Sequence, residues 1–388
     1  NMLDDYLHEH ADEIKVIRHH IHSHPELGFE ETLTSQLVAE KLREWGYEVD
    51  VGLAKTGVVG TLKVGDGEKI LGIRADMDAL PILEQTDVAY KSQHQHVMHA
   101  CGHDGHTSAL LAAAQYLAAS KQFNGTLRVI FQPAEEYLYG GKVMVDDGLF
   151  ERFPCDLLYG FHNMPGLKAG EFYIKPGAFM ASADTLEVTV KGVGGHGAYP
   201  HKTVDATLVA SHIVLALQSI VGRNIDPLQA AVVTVGSLHA GTAANIIAAT
   251  AELKISVRAL SNEIRAQVLA RVNEVIHLQA QSFGATATVN HVNGCPVLMN
   301  DAEATDYVLG VMQTHFGEAV CHTDVLPSMA SEDFAFMLEA HSKGCYFFIG
   351  NGDESDRYMV HHPQYDFNDE ILLPAAKLWS VLAEDYLR

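Results

Sequence analysis

The chain has 388 residues, 47% of them hydrophobic and 19% charged, which supplies enough apolar side chain for a full core and lies far from the composition of a disordered chain. A net charge of −23 with no local basic patch to offset it excludes DNA and RNA as partners. No apolar run approaches the length of a bilayer span, and the acidic start NMLDDYLHEHADEIK lacks the positive charge of a signal peptide, so the expectation is a cytoplasmic protein with no membrane segment.

The first third alternates helical and extended patterns. Leu3, Leu7, Ile14, Ile17 and Ile21 recur at helical spacing, and residues 35–45 continue in that period. Short apolar runs at 57–64, 70–75, 127–132 and 157–162 predict strands, with a helix over 106–120 and a shorter one over 142–150. This alternation predicts an α/β domain, a sheet flanked by helices, whose chemistry lies just past the C-terminal ends of strands. From Ala183 the order becomes strand (184–193), helix (204–221), strand (230–238), strand (246–260), helix (262–283), strand (285–292). That order is the ferredoxin-like split unit, a smaller α+β domain read here as an insertion over 183–293. A strand at 344–352 and a closing helix at 370–387 then return the chain to the first domain, which is expected to comprise 1–182 and 294–388. The five cysteines, Cys101, Cys155, Cys295, Cys321 and Cys345, are an odd number scattered through a large chain, and read as thiols.

Four segments place metal-competent side chains at strand ends or loops: MHACGHDGH (98–106), FQPAEE (131–136), GFHNMP (160–165) and VHHPQYDFND (360–369). In the first, Cys101 and His103 can converge on one cation only if the backbone turns sharply between them, which Gly102 permits. In the second, Glu135 and Glu136 are neighbouring carboxylates that can divide the work, one binding metal and the other shuttling protons. Any one segment alone is as readily a satisfied loop; four on one alternating sheet point to a site.

These motifs, with HSHPELGFEE (22–31), GIRADMDALPI (72–82), GGHGAYPH (194–201) and SEDFAFM (331–337), run in order through nearly the whole chain and resemble the M20 family of metallopeptidases and aminoacylases. The branch they resemble contains hippurate hydrolases, N-acyl-amino-acid amidohydrolases and auxin-conjugate hydrolases. The resemblance implies a di-metal catalytic domain with a helix-flanked mixed sheet, interrupted by the smaller ferredoxin-like domain, which serves as lid or dimerisation surface. It further implies Cys101, His103, Glu136, His162 and His361 as ligands of two divalent metal ions, zinc or manganese with cobalt and nickel as alternatives. His362 is the alternative to His361. Glu135 is implied as general acid and base, and Asp78 as the carboxylate that orients a metal-site partner, although a turn role before Pro81 competes. His196 matches the histidine that reaches the scissile carbonyl, within its own chain or across a homodimer. Asn245 and Arg258, ranked in that order, match positions near a substrate carboxylate, and both are also readable as turn and strand-end residues. The implied reaction is hydrolysis of the amide of an N-acyl amino acid. Alternatives are a dipeptidase, an N-acetyl-diaminopimelate deacetylase, or a non-catalytic metal- or ligand-binding protein, which would have no need of a free Glu135.

Overall fold

A computed structural model describes residues 1–137 and 139–388. The chain divides into two compact units. The first comprises 1–177, 299–326 and 333–388 and is built on an eight-stranded sheet. In spatial order its strands are Glu48–Leu53, Gly57–Val64, Gly125–Gln132, Ile70–Asp76, Leu157–Pro165, Gly344–Gly352, Phe172–Tyr173 and Cys321–His322. The four central strands run parallel to one another, and the first two join antiparallel at one side. Central strands covered on both faces should read as unbroken apolar runs, and Gly344–Gly352 is buried at every residue. The helix His103–Ser120 is buried nearly all round because its small side chains, SALLAAAQYLAAS, let it pack closely among the strands and the helices Ala11–Ser23 and Leu372–Tyr386. Phe161, Phe347 and Trp379 fill the centre, with ring centroids 5.6–6.3 Å apart.

The second unit comprises 178–298 and 327–332. Its antiparallel sheet has the order Ala231–Ala240, Thr250–Ala259, Ser182–Lys191, Thr286–Cys295, which with the helices Ala206–Leu217 and Asn262–Ser282 is the ferredoxin-like arrangement. Ser182–Lys191 and Thr250–Ala259 alternate buried with less buried residues, as expected of a sheet covered on one face only. The remote segment 327–332 joins this unit by main-chain bonds: the amide of Ala181 donates to the carbonyls of Ser328 and Ala330, and that of Ser328 to Phe179.

Several expectations are corrected. The strand over 246–260 is two, Ile246–Ile247 and Thr250–Ala259, separated where the first pairs with Gly195–His196. The helix over 142–150 is Gly140–Asp146 and Leu149–Arg152, interrupted by Gly148 in the left-handed region. The 206–224 stretch is long and apolar enough to cross a membrane by length and composition. Its helix is interrupted at Gln218, and Val209, Ala210, Ile213, Leu217 and Ile220 are spent on the core of the second unit.

Candidate active site

The parallel strands of the first unit deliver the chemistry at their C-terminal ends. Asp76 ends one strand and Asp78 follows it; 133–136 follow the strand Gly125–Gln132; His162 and Asn163 lie near the end of Leu157–Pro165; His361 lies in the loop beyond Gly344–Gly352. The helix His103–Ser120 begins among them, after Gly102 at φ +82°. A Cβ at Gly102 would stand 2.2 Å from Asn163 Nδ2 and 2.5 Å from Tyr365 Oη, so the turn between Cys101 and His103 admits only glycine.

Donor atoms converge in overlapping groups. Cys101, His103 and His162 form one, Cys101, Glu136 and His361 a second, and His103, Glu135 and Glu136 a third. Cys101 Sγ lies 3.3 Å from His162 Nε2, and His361 Nε2 lies 3.2 Å from Glu136 Oε1. His103 Nε2 is 3.5 Å from Glu135 Oε1 and 3.8 Å from Glu136 Oε1. His362 is turned to other work: its Nδ1 accepts from the amide of Gln364 and its ring stacks on Tyr358 at 4.4 Å.

Hydrogen bonds fix which imidazole nitrogen is offered. His103 Nδ1 donates to the carbonyl of Asp78 at 2.8 Å, with Asp78 Oδ1 at 3.1 Å, and His162 Nδ1 donates to the carbonyl of Asn163 at 2.5 Å. Both rings therefore present Nε2 to the group, the usual arrangement of a ligating histidine. Asp78 does more than orient His103. Its Oδ1 also accepts from the amide of Glu135 (3.0 Å) and its Oδ2 from that of Glu136 (2.9 Å), so one carboxylate positions both glutamates and the imidazole.

The electrostatics fit a cation. Burial, with Glu136 and Glu135 alongside, pushes the Cys101 thiol well above its ordinary range. Burial disfavours charge on His103, but Asp76 and Asp78 outweigh it and raise its pKa well above normal. His162, buried beside His106, is held well below normal. Among the described residues His103 Nε2 and Asp76 Oδ2 are buried with no hydrogen bond and face each other at 3.2 Å. Thiol, imidazole and carboxylate gathered around them are the donor chemistry of a zinc-like divalent ion, whose charge would reverse the cost of ionising Cys101.

Several supporting residues had not been singled out from sequence. Asp76 takes a bond from His106 Nδ1 at 2.8 Å and lies 3.2 Å from His103 Nε2, while His106 Nε2 accepts from the amide of Asn163. Asn163 Nδ2 also donates to the carbonyl of Cys101, and Tyr365 Oη donates to Asn163 Oδ1. Behind the helix start, His22 bridges Asp104 (2.9 Å) and Glu84 (3.0 Å), and Arg18 also binds Asp104. Burial opposes protonation of His22, yet these two carboxylates push it up to about 9. Glu31, fully buried, is pushed up to about 7 by burial and by Asp78. Asp76, His106 and Asn163 sit inside or beside the quoted motifs, so proximity to a ligand was the available signal; Glu31 and His22 lie in a motif to which no role had been given.

In the second unit the pairing of His196 with Ile246, and a bond from the amide of Gly197 to the carbonyl of Asn245 (2.8 Å), place His196 beside Asn245. His196 is exposed, and its Nδ1 accepts from the amide of Ala198 at 3.0 Å. Arg258 is not brought to them. It lies about 26 Å along the strand from Thr250, at 3.3 Å per residue, and its guanidinium donates to the carbonyl of Met329 at 3.1 Å.

A helix-flanked sheet with a thiol–imidazole–carboxylate cluster at its strand ends is the framework of a metal-dependent hydrolase. Residues 72–385 match the model of peptidase family M20/M25/M40. The chain belongs to this family and is a metal-dependent amidohydrolase. It is 49% identical to a hippurate hydrolase of Campylobacter jejuni over 97% of each chain, and 38% identical to an N-acetyldiaminopimelate deacetylase of Streptococcus sanguinis over 93% of this chain and 94% of the relative. Its fold superposes with a TM-score of 0.84 on the YxeP protein of Bacillus subtilis, a dinuclear metal-binding peptidase of the M20 family, at 30% identity over 97% of this chain and 98% of the other.

Proposed function

We propose that the enzyme hydrolyses the amide of N-acyl amino acids, benzoyl-glycine among them, to a carboxylic acid and a free amino acid, using two divalent cations held by Cys101, His103, Glu136, His162 and His361. The observation that carries this reading is that Cys101 belongs to two donor groups at once, one with His103 and His162 and one with Glu136 and His361, as a ligand shared by two ions would. Similarity to the Campylobacter hippurate hydrolase supports the acyl-amino-acid class of substrate.

Bound cations supply polarisation of the amide carbonyl and a lowered pKa for water. The chain's own residues do the rest. Glu135, its amide fixed by Asp78, takes the proton of the attacking water and hands it to the leaving nitrogen. Asp78 holds the Nδ1 side of His103 and so turns Nε2 toward the cluster. His196 is assigned to the developing oxyanion, and Asn245 to the substrate carboxylate, with Arg258, which stands apart from Asn245 along its strand, as the second candidate in place of Asn245 rather than beside it. We further infer a cytoplasmic homodimer formed through the second unit. Its edge strand Ala231–Ala240 exposes Val232 and Leu238, and the helix Ala206–Leu217 exposes Leu208 and Leu215; a monomeric mass in solution with full activity would contradict the dimer.

The test is turnover of a panel with zinc or manganese added: benzoyl-glycine, N-acetyl amino acids, N-acetyl-diaminopimelate and a dipeptide. Release of free amino acid from the first two classes is expected. Preference for N-acetyl-diaminopimelate would move the assignment to the deacetylase, and no turnover of any amide by the metal-loaded protein would leave a binding protein.

A further inference from the structure

The HSHPELGFEE segment has no part in the chemistry described above, yet it is tied to both loops that carry it. The carbonyl of Glu26 accepts from the amide of Ala79, next to Asp78, at 2.8 Å. The Glu26 carboxylate is itself fixed by Leu33 N (2.9 Å), Thr34 N (2.7 Å) and Thr34 Oγ1 (2.7 Å), at the start of the helix Thr32–Glu44. At the other end of the segment, Glu31 Oε2 accepts from the amide of Ala134 at 2.8 Å, and its Oε1 accepts from Thr56 Oγ1 at 2.8 Å. Ala134 stands at φ +53°, a left-handed conformation that an alanine adopts only under restraint. Its carbonyl takes the amide of Gly140. Three successive amides, those of Ala134, Glu135 and Glu136, thus end on two buried carboxylates, Glu31 and Asp78.

We propose that Glu31 is a positioning residue for Glu135: by accepting from the amide of Ala134 it holds that residue left-handed and so aims the Glu135 carboxylate. This rests on the reading of Glu135 as the proton shuttle. Glu31 belongs to none of the donor groups; it acts through one main-chain bond, and its own orientation is set by Thr56. Glutamine can make both contacts, accepting from Ala134 through its oxygen and donating to Thr56 Oγ1 through its amide. Alanine makes neither.

The experiment compares Glu31→Ala, Glu31→Gln, Thr56→Val and Glu135→Gln in the metal-loaded enzyme, reading kcat, KM and metal content on benzoyl-glycine. Glu31→Ala is expected to lose kcat by about 10²-fold, the scale on which a misplacement near 1 Å acts, with KM and metal content little changed, and Glu31→Gln to recover most of that loss. Thr56→Val is expected to lower kcat several-fold at constant KM, and it decides the matter if Glu31→Ala does not fold. Full kcat in Glu31→Ala or Thr56→Val, a Gln variant as impaired as Ala, or a kcat loss that tracks lost metal would each overturn the inference. An inactive Glu135→Gln beside a fully active Glu31→Ala would sink this inference alone; an active Glu135→Gln would sink the reading on which it rests.

Discussion

Glu135→Gln is expected to retain its metal and to lose turnover by about 10²-fold or more, the usual scale for removing a general acid–base group. The substitution keeps the shape and the main-chain bond from residue 135 to Asp78, so the loop should stay in place. What is lost is a carboxylate able to take and return a proton, so the effect should fall on kcat rather than on KM. Glu136→Gln should behave differently, because Glu136 shares one donor group with Cys101 and His361 and another with His103. There the expected result is metal loss, with activity recovering at high metal concentration. Elemental analysis and steady-state kinetics on the two variants side by side check the assignment, and exchanged phenotypes would show that the pair is divided the other way.

Cys101→Ser should lower activity by about 10²-fold at metal concentrations that saturate the wild type. Cys101 is the donor that the group with His103 and His162 shares with the group of Glu136 and His361, so its replacement should weaken both ions together rather than one. Burial and the neighbouring Glu136 and Glu135 hold its thiol protonated, and a cation must displace that proton to bind. Metal affinity of the wild type should therefore rise with pH, and the serine variant should show a flatter dependence. Once metal favours the thiolate, mild peroxide should inactivate the wild type. A serine variant that is fully metallated and as active as the wild type, with a peroxide-resistant parent, would take Cys101 out of the site.

What the sequence disclosed and what it withheld have separate physical origins. Glu135, Glu136 and His162 stand in short motifs at the ends of apolar runs and Cys101 and His103 at the start of a helix, and placement at the end of an element is local information. The sheet and the ferredoxin-like unit were legible for the same reason, since their alternation and helical periods are local. Contacts that close over long separations were not. Glu31 meets Ala134 across 103 positions and His22 meets Asp104 across 82; nothing in either segment alone names its partner. Asp76 lies just past the strand expected over 70–75 and was given no role, and only the fold shows His103 and His106 both turned toward it. The helix Ala302–Phe316 was within reach, with Asp301 as its cap and Ala304, Val308, Val311 and Met312 at helical spacing. Arg258 is a further case of a long-range contact, its guanidinium donating to the carbonyl of Met329 across 71 positions.

The central claim, that this cluster works through two divalent ions, is tested most directly by following metal content and benzoyl-glycine hydrolysis together. Protein stripped by a chelator is expected to be inactive, and back-titration with zinc or manganese is expected to restore activity along a curve that saturates at about two ions per chain. Full activity in protein shown by elemental analysis to carry no metal would contradict it.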